Sequence, residues 1–140
     1  MAREIAPKIV RRVATVDENR SCLEAAILMT EEFVGSVVVT SSSKVAGIFT
    51  ERDLMMKVVG KQLDPDKAKI KDVMTKDVVK VSPCDTASHC LNLMKEKRCR
   101  HLLVFDHDEF IGIVSLRDMV ALMIDEKQEM IEYLEKYITS

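Results

Sequence analysis

The sequence predicts an α+β fold made of two βαββα repeats, followed by a C-terminal amphipathic helix. Three observations lead to this prediction: an internal repeat, an alternation of strand and helix patterns inside each copy, and a helical pattern that continues past the second copy. Because one copy alone buries little apolar surface, we expect the two to pack with pseudo-twofold symmetry. Clefts are then expected where the copies meet.

The internal repeat has a spacing of 65 residues. Laying residues 9–60 over 74–125 without a gap gives ten identities in 52 pairs, whereas composition alone gives roughly three or four. The apolar pattern agrees as well, since the valines at 37–39 fall on the apolar residues at 102–104. We therefore divide the chain into repeat 1 (5–62), repeat 2 (68–124) and a tail (125–140).

Each repeat has the same order of predicted elements. A short β-branched stretch (13–16; 78–81) is followed by turn residues and then by a helix with one apolar face. Two strands joined by a polar loop come next, near 36–40 and 45–49 in repeat 1 and near 101–105 and 110–114 in repeat 2. A second helix closes each repeat, and the Gly-, Pro- and charge-containing stretch 60–67 is the predicted linker.

The tail continues an apolar stripe beyond the second repeat. Its apolar positions are Met130, Ile131, Leu134, Tyr137 and Ile138, with charged residues between them. A helix of about 25 residues that runs past its own domain lacks intrachain surface to cover this stripe. A homodimer is therefore expected.

Composition and charge exclude several classes of function. The 140 residues carry 21 Lys and Arg against 23 Asp and Glu, so the chain has no general positive field for nucleic acid or an anionic membrane. No apolar run is long enough to span a bilayer and no signal peptide is evident, so we expect a cytoplasmic protein.

Cysteine and histidine patterns do not predict a metal or catalytic site. The four cysteines form no Cys-x-x-Cys pair and are expected to be reduced thiols. Cys84, Cys90, Cys99 and the three histidines match no zinc-ligand spacing. No activated nucleophile accompanies them, so we expect neither a bound metal nor an enzyme activity.

The strongest local signal occurs once in each repeat. The segment 47–53 (GIFTERD, the first motif) and the segment 112–118 (GIVSLRD, the second motif) both end a strand in a hydroxyl residue, with a carboxylate three residues later. This spacing is that of a helix capping box, which satisfies free N–H groups at a helix start and needs no ligand. Helix capping is therefore one complete interpretation of both motifs.

The same geometry also suits a nucleotide. A helix N-terminus offers unpaired N–H groups and a positive dipole end for a phosphate, and a Thr or Ser hydroxyl can join them. A carboxylate one turn later has two acceptor oxygens, which match the two hydroxyls of a ribose. The residues alone leave the capping and the nucleotide interpretations open.

The order of motifs resembles a stand-alone tandem of cystathionine-β-synthase (CBS) domains. The resemblance is carried by 70–75 (IKDVMT), 81–83 (VSP), 100–104 (RHLLV) and the two Gly-x-x-(Thr/Ser)-x-x-Asp segments, and it spans residues 5 to 124 approximately. It implies a non-catalytic regulatory module that binds AMP, ADP, ATP, S-adenosylmethionine or NAD in clefts between the repeats. It also implies signalling to a partner enzyme or transporter.

The resemblance assigns expected roles to individual residues. Asp53 and Asp118 would hold ribose, and Thr50 and Ser115 would hold phosphate. The strand backbone near Thr15 and Lys80 would contact adenine. The cationic side chains with an expected phosphate role are Arg100 and His101, with Arg117 either beside them or solvated on its helix.

The first repeat departs from the family pattern at one place. Gly35 and Ser36 stand where Arg100 and His101 stand in the second repeat, so we expect unequal sites and allow for a single ligand per chain. The alternative function is a homodimeric interaction scaffold without a ligand, in which both motifs serve only as helix caps.

Overall fold

The structure is a computed structural model that describes residues 3–139, with side chains for residues 3–138. Its described residues form two compact units. The first unit is residues 12–78, and the second unit is residues 3–11 together with 79–139.

The first unit is a three-stranded sheet with helices. Its elements are β1 (Thr15–Asp17), α1 (Cys22–Glu32), β2 (Ser36–Ser41), β3 (Lys44–Thr50), α2 (Glu51–Asp53), a π-helix that continues α2 (Leu54–Val59), and α3 (Ile70–Val73). The strand order is β1-β2-β3, with β1 parallel and β3 antiparallel to β2. Ser21 caps α1 through its side chain, which accepts a hydrogen bond from the Glu24 N–H.

The second unit repeats this plan. Its elements are a 3₁₀ turn (Ala6–Lys8), β4 (Lys80–Val81), α4 (Ala87–Lys97), β5 (His101–Asp106), β6 (Glu109–Ser115) and α5 (Leu116–Thr139). Strand pairing is equivalent at the 65-residue spacing, because Thr15 pairs with Val38 and Lys80 with Leu103. The predicted α+β class, the two βαββα repeats and the C-terminal helix are confirmed.

Each unit takes part of its core from the first residues of the opposite repeat in sequence. In the second unit the buried N-terminal residues Ile5 and Ile9 pack in the core of α4, β5 and β6. In the first unit the buried residues Ile70 and Met74 do the same for α1, β2 and β3. The repeats of the sequence and the compact units of the structure are therefore divided at different residues.

Backbone bridges fasten these segments to the outer strand of each sheet. Val10 pairs with Ile113, and Thr75 pairs with Ile48, through two backbone hydrogen bonds in each case. The adjacent glycines make this approach possible. A Cβ on Gly112 would lie 2.5 Å from the Val10 carbonyl oxygen, and one on Gly47 would lie 2.6 Å from that of Thr75.

We predict that Gly47→Ala and Gly112→Ala each lower the free energy of unfolding by about 1–3 kcal/mol. The added methyl group would lie too close to a carbonyl oxygen of the bridged backbone. Gly35→Ala is the matched control, since its Cβ would meet only the end of the Glu51 side chain, at 3.1 Å. Urea unfolding of the three variants measures the difference. A loss in Gly35→Ala as large as in the other two would contradict the close approach.

The core of the second unit contains a cysteine thiol whose pKa is raised by burial. Cys90 is fully buried, and burial, aided by the charge of Asp85, raises the pKa of its thiol from 9.0 to about 11. The unfolded chain thus releases this proton at a lower pH than the folded chain does. Stability from this group is complete below pH 9 and is lost as the pH rises towards about 11.

We predict that thermal stability falls between pH 9 and about 11, and that Cys90→Ala makes this fall less steep. Cys84→Ala is the control because Cys84 is exposed. Melting curves across this pH range compare the variants with the unsubstituted chain. An equal change of slope in Cys84→Ala and Cys90→Ala would contradict a special role for Cys90.

Candidate functional site

The first motif forms a complete capping box where β3 meets α2. The Thr50 hydroxyl accepts a hydrogen bond from the Asp53 N–H at 3.1 Å, and the Asp53 carboxylate accepts one from the Thr50 N–H at 3.1 Å. The start of β2 lies beside this junction, since the Glu51 N–H donates to the Gly35 carbonyl oxygen at 2.9 Å. Thr50 and Asp53 therefore lie together, as the motif predicts.

The second motif forms a similar junction where β6 meets α5. The Ser115 hydroxyl accepts from the Asp118 N–H at 3.2 Å and donates to Asp118 Oδ2 at 2.9 Å. The Leu116 N–H donates to the Arg100 carbonyl oxygen at 2.8 Å, and His101 is the strand partner of Ser115. The fold thus brings Arg100, His101, Ser115 and Asp118 to one end of the β5–β6 hairpin.

The two carboxylates have different surroundings. Asp53 is buried, with an exposed fraction of 7%. The Lys57 ammonium lies 3.0 Å from Asp53 Oδ1, and the Thr75 hydroxyl lies 3.3 Å from each carboxylate oxygen. Asp118 is only half-buried, and among residues 3–138 its Oδ1 accepts no hydrogen bond. Asp118 therefore retains an acceptor oxygen, whereas both oxygens of Asp53 are engaged.

The charge around the two motifs differs in sign. The last turn of α4 carries Lys95, Glu96 and Lys97, and the exposed Arg98 and Arg100 follow before β5 begins. The corresponding end of α1 carries Glu31 and Glu32. The second motif therefore has cations at its side, while the first has carboxylates.

The remaining predicted residues lie at the margins of these junctions. Arg117 is exposed in the first turn of α5. The Lys80 ammonium lies 4.5 Å from the centre of the Phe105 ring, near the turn of the β5–β6 hairpin and away from Arg100, where a cation–π contact holds it. Its side chain therefore does not join the group at the second motif.

The backbone groups of Thr15 and Lys80 have the same orientation in the two edge strands. In β4 the Val79 carbonyl accepts from the Leu103 N–H, and parallel pairing then directs the N–H and C=O of Lys80 to the outer edge of the sheet. In β1 the Ala14 carbonyl accepts from the Val38 N–H, so Thr15 has the same orientation. Both edges therefore carry alternating backbone donors and acceptors.

Three residues at the first motif are not predicted as site residues by the sequence: Glu51, Lys57 and Thr75. The spacing of four residues between Asp53 and Lys57 is a helical ion-pair signal that could have indicated Lys57. No local pattern points to Thr75, because it comes from the segment after the predicted linker. Its contact depends on the bridge between Thr75 and Ile48.

The described residues form neither a metal-binding cluster nor a membrane-spanning helix. Between residues 3 and 139, no three His, Cys, Asp or Glu side chains converge in a way that could hold a metal ion. Within the same part of the chain, no helix has the length and apolar character needed to cross a membrane.

Comparison with known proteins identifies the family. The family model of the CBS domain matches residues 2–60 and 70–125. A CBS domain-containing protein of Bacillus subtilis, YhcV, is 30% identical over 110 residues, covering 79% of this chain and 78% of that protein. A solved structure of a protein with CBS domains from Burkholderia ambifaria has a TM-score of 0.83 and 32% identity, covering 89% of this chain and 95% of that one.

Some relatives are much longer than the aligned region. Arabinose 5-phosphate isomerase KdsD of Yersinia pestis is 36% identical over 109 residues, which cover 77% of this chain but 33% of that enzyme. The chain spans 58% and 56% of the next two curated relatives. Pairs of CBS domains are in general regulatory, ligand-binding modules. The matches, together with the two equivalent βαββα units, show that this chain belongs to the CBS domain family and contains two CBS domains.

Proposed function

We propose that this chain is a regulatory module that binds an adenosine-containing ligand and transmits its binding to a partner enzyme or transporter. The candidate ligands are AMP, ADP, ATP, S-adenosylmethionine and NAD. The observation that carries the proposal is the second motif, where the Ser115 hydroxyl, the Asp118 carboxylate, Arg100 and His101 come together at the start of α5 and where Asp118 Oδ1 accepts no hydrogen bond from the described residues.

Each part of such a ligand has a chemical counterpart at the second motif. A phosphate at the start of α5 would meet the Arg117 N–H and the Ser115 hydroxyl once it turns from Asp118, because the Leu116 and Asp118 N–H groups already donate within the chain. The Arg100 guanidinium adds a charge-assisted hydrogen bond, and His101 lies next to it on the strand that pairs with Ser115. The Asp118 carboxylate suits the ribose hydroxyls because no described residue donates a hydrogen bond to its Oδ1. The outward backbone of Lys80 suits the adenine edge. Thr15, Thr50 and Asp53 are the corresponding residues of the first unit.

A regulatory role is supported by where related segments occur. In the Yersinia relative named as an isomerase, the matched segment is a third of the enzyme's length, so a CBS pair there accompanies a larger region. We propose that this chain likewise acts on an enzyme or a transporter. All four cysteines are free thiols, which agrees with a reducing compartment such as the cytoplasm.

We further propose that the chain forms a homodimer through α5. The apolar residues Ile131, Leu134, Tyr137 and Ile138 are all exposed, Ile138 by 78%. A groove of about 280 Å³ lies alongside them between α4 and α5, lined by Leu91, Val120, Met123, Ile124, Lys127, Gln128 and Ile131. An apolar surface that continues over this length of helix is typical of a self-complementary interface.

The ligand proposal is tested by isothermal titration with the five candidate ligands. We expect at least one to bind, and we expect Asp118→Ala and Arg100→Ala each to weaken binding about tenfold or more, because each removes a hydrogen bond to a charged group. Asp108→Ala is the control, since this exposed carboxylate lies in the turn of the β5–β6 hairpin. No heat with any ligand at millimolar concentration would overturn the proposal and leave the capping interpretation.

The dimer proposal is tested by light scattering coupled to size-exclusion chromatography. We expect a mass of twice the 15.9 kDa of the chain, and we expect Ile131→Glu with Leu134→Glu to give the single-chain mass, because two charges would enter the apolar stripe. Glu132→Gln with Glu135→Gln is the control on the same helix. A single-chain mass for the unsubstituted protein at tens of micromolar would contradict the dimer.

A further inference from the structure

We propose that the first motif is closed by its own chain, so that each chain holds one anionic adenosine ligand, at the second motif. This inference rests on the proposed function for its ligand, but the closure itself is a property of the protein alone. Three features of the first unit carry it: the partners of Asp53, the position of Glu51 and the π-helix.

The partners of Asp53 occupy the atoms that a ribose would need. Lys57 lies 3.0 Å from Oδ1, and the Thr75 hydroxyl lies 3.3 Å from both oxygens. Lys57 also lies 3.4 Å from the Thr75 hydroxyl, so the three side chains form one connected group. A ribose could reach Asp53 only if this buried carboxylate gave up a paired cation, which costs more than displacing water.

The Glu51 carboxylate lies at the position that corresponds to Arg100, the cation proposed to bind phosphate in the second unit. A Cβ on Gly35 would lie 3.1 Å from both Cδ and Oε1 of Glu51, so this carboxylate covers the position where the second unit has Arg100. In the second unit the residue corresponding to Glu51 is the apolar Leu116. A phosphate near Thr50 would therefore meet a negative charge where one near Ser115 meets a positive charge.

The π-helix explains how Lys57 comes to face Asp53. The gapless repeat alignment places Lys57 opposite Leu122, and Leu122 is buried in the core of its unit. In the first unit the Gly60 N–H donates to the Met55 carbonyl oxygen, five residues back, and the buried residue becomes Val58. This wider turn shifts the core position by one residue and leaves Lys57 half-exposed beside the carboxylate.

The second unit has no counterpart of the Lys57 ammonium or of the Thr75 hydroxyl. Its equivalent of Lys57 is the buried Leu122, and its equivalent of Thr75 is Val10, which makes the same backbone bridge but has no hydroxyl to donate. Asp118 is thus held through Oδ2 by Ser115. The chain contains one closed and one open form of the same motif.

The test of this inference is a titration of the full chain with AMP, which is monitored through the backbone amide NMR signals. We expect the signals of residues 116–118 to shift with AMP and those of residues 51–53 to stay unchanged up to millimolar ligand. Equal shifts at both motifs with the same dissociation constant would overturn the closure while supporting the proposed function. If the signals shift at neither motif, the result counts against the proposed function. The closure is then tested by the thermal stability of the ligand-free protein.

Thermal unfolding supplies that second measurement. Lys57→Met keeps the aliphatic stem and removes the ammonium that pairs with Asp53, so we expect a Tm lower by about 3 °C or more. Lys61→Met is the matched control, because Lys61 is exposed and lies outside this group of side chains; we expect its Tm to change by less than about 1 °C. Equal Tm values for Lys57→Met and the unsubstituted protein would overturn the closure whether or not AMP binds.

Discussion

A carboxylate at the start of a helix that follows a strand needs hydrogen-bond donors, and this need organises both units. The residue that caps the helix supplies one donor, the Thr50 N–H or the Ser115 hydroxyl, and the others come from the chain, from water or from a ligand. In the first unit the chain provides them through Lys57 and Thr75. In the second unit it leaves Asp118 Oδ1 without a donor among the described residues. The two copies of one motif therefore differ in how many donors of the described chain reach the carboxylate.

The position of each motif depends on segments that are remote in sequence. The bridges of Val10 to Ile113 and of Thr75 to Ile48 hold the outer strand of each sheet, and that strand leads directly into the motif. Glycine at 47 and at 112 allows the backbones to approach this closely. The bridge at Thr75 also places its hydroxyl on Asp53, so one backbone contact both fixes the strand and closes the first motif.

The sequence predicts the elements well because their patterns are local. The apolar runs at 37–39 and 102–104 are the buried centres of β2 and β5, and the hydroxyl–carboxylate spacing correctly places the helix starts. It does not predict that Ile5 and Ile70 enter the cores of their units, because these contacts span many residues and follow no period. It also misses the π-helix, since a one-residue shift of the buried face leaves no distinct pattern in a short apolar stretch.

The net charge of the whole chain likewise differs from the local charge at each motif. The chain as a whole has a formal charge of −2, which excludes a general polyanion binder. The cations at Arg98 and Arg100 nevertheless lie beside the second motif, and Glu51 lies beside the first. Local charge, and not the total, distinguishes the two motifs as places for a phosphate.

The most direct test of this account is a crystal structure of the full chain grown with AMP. The account predicts one nucleotide per chain, with its ribose hydroxyls at the Asp118 carboxylate and its phosphate between Ser115 and Arg100, while Lys57 remains on Asp53. A nucleotide bound at Asp53 with Lys57 displaced would contradict it.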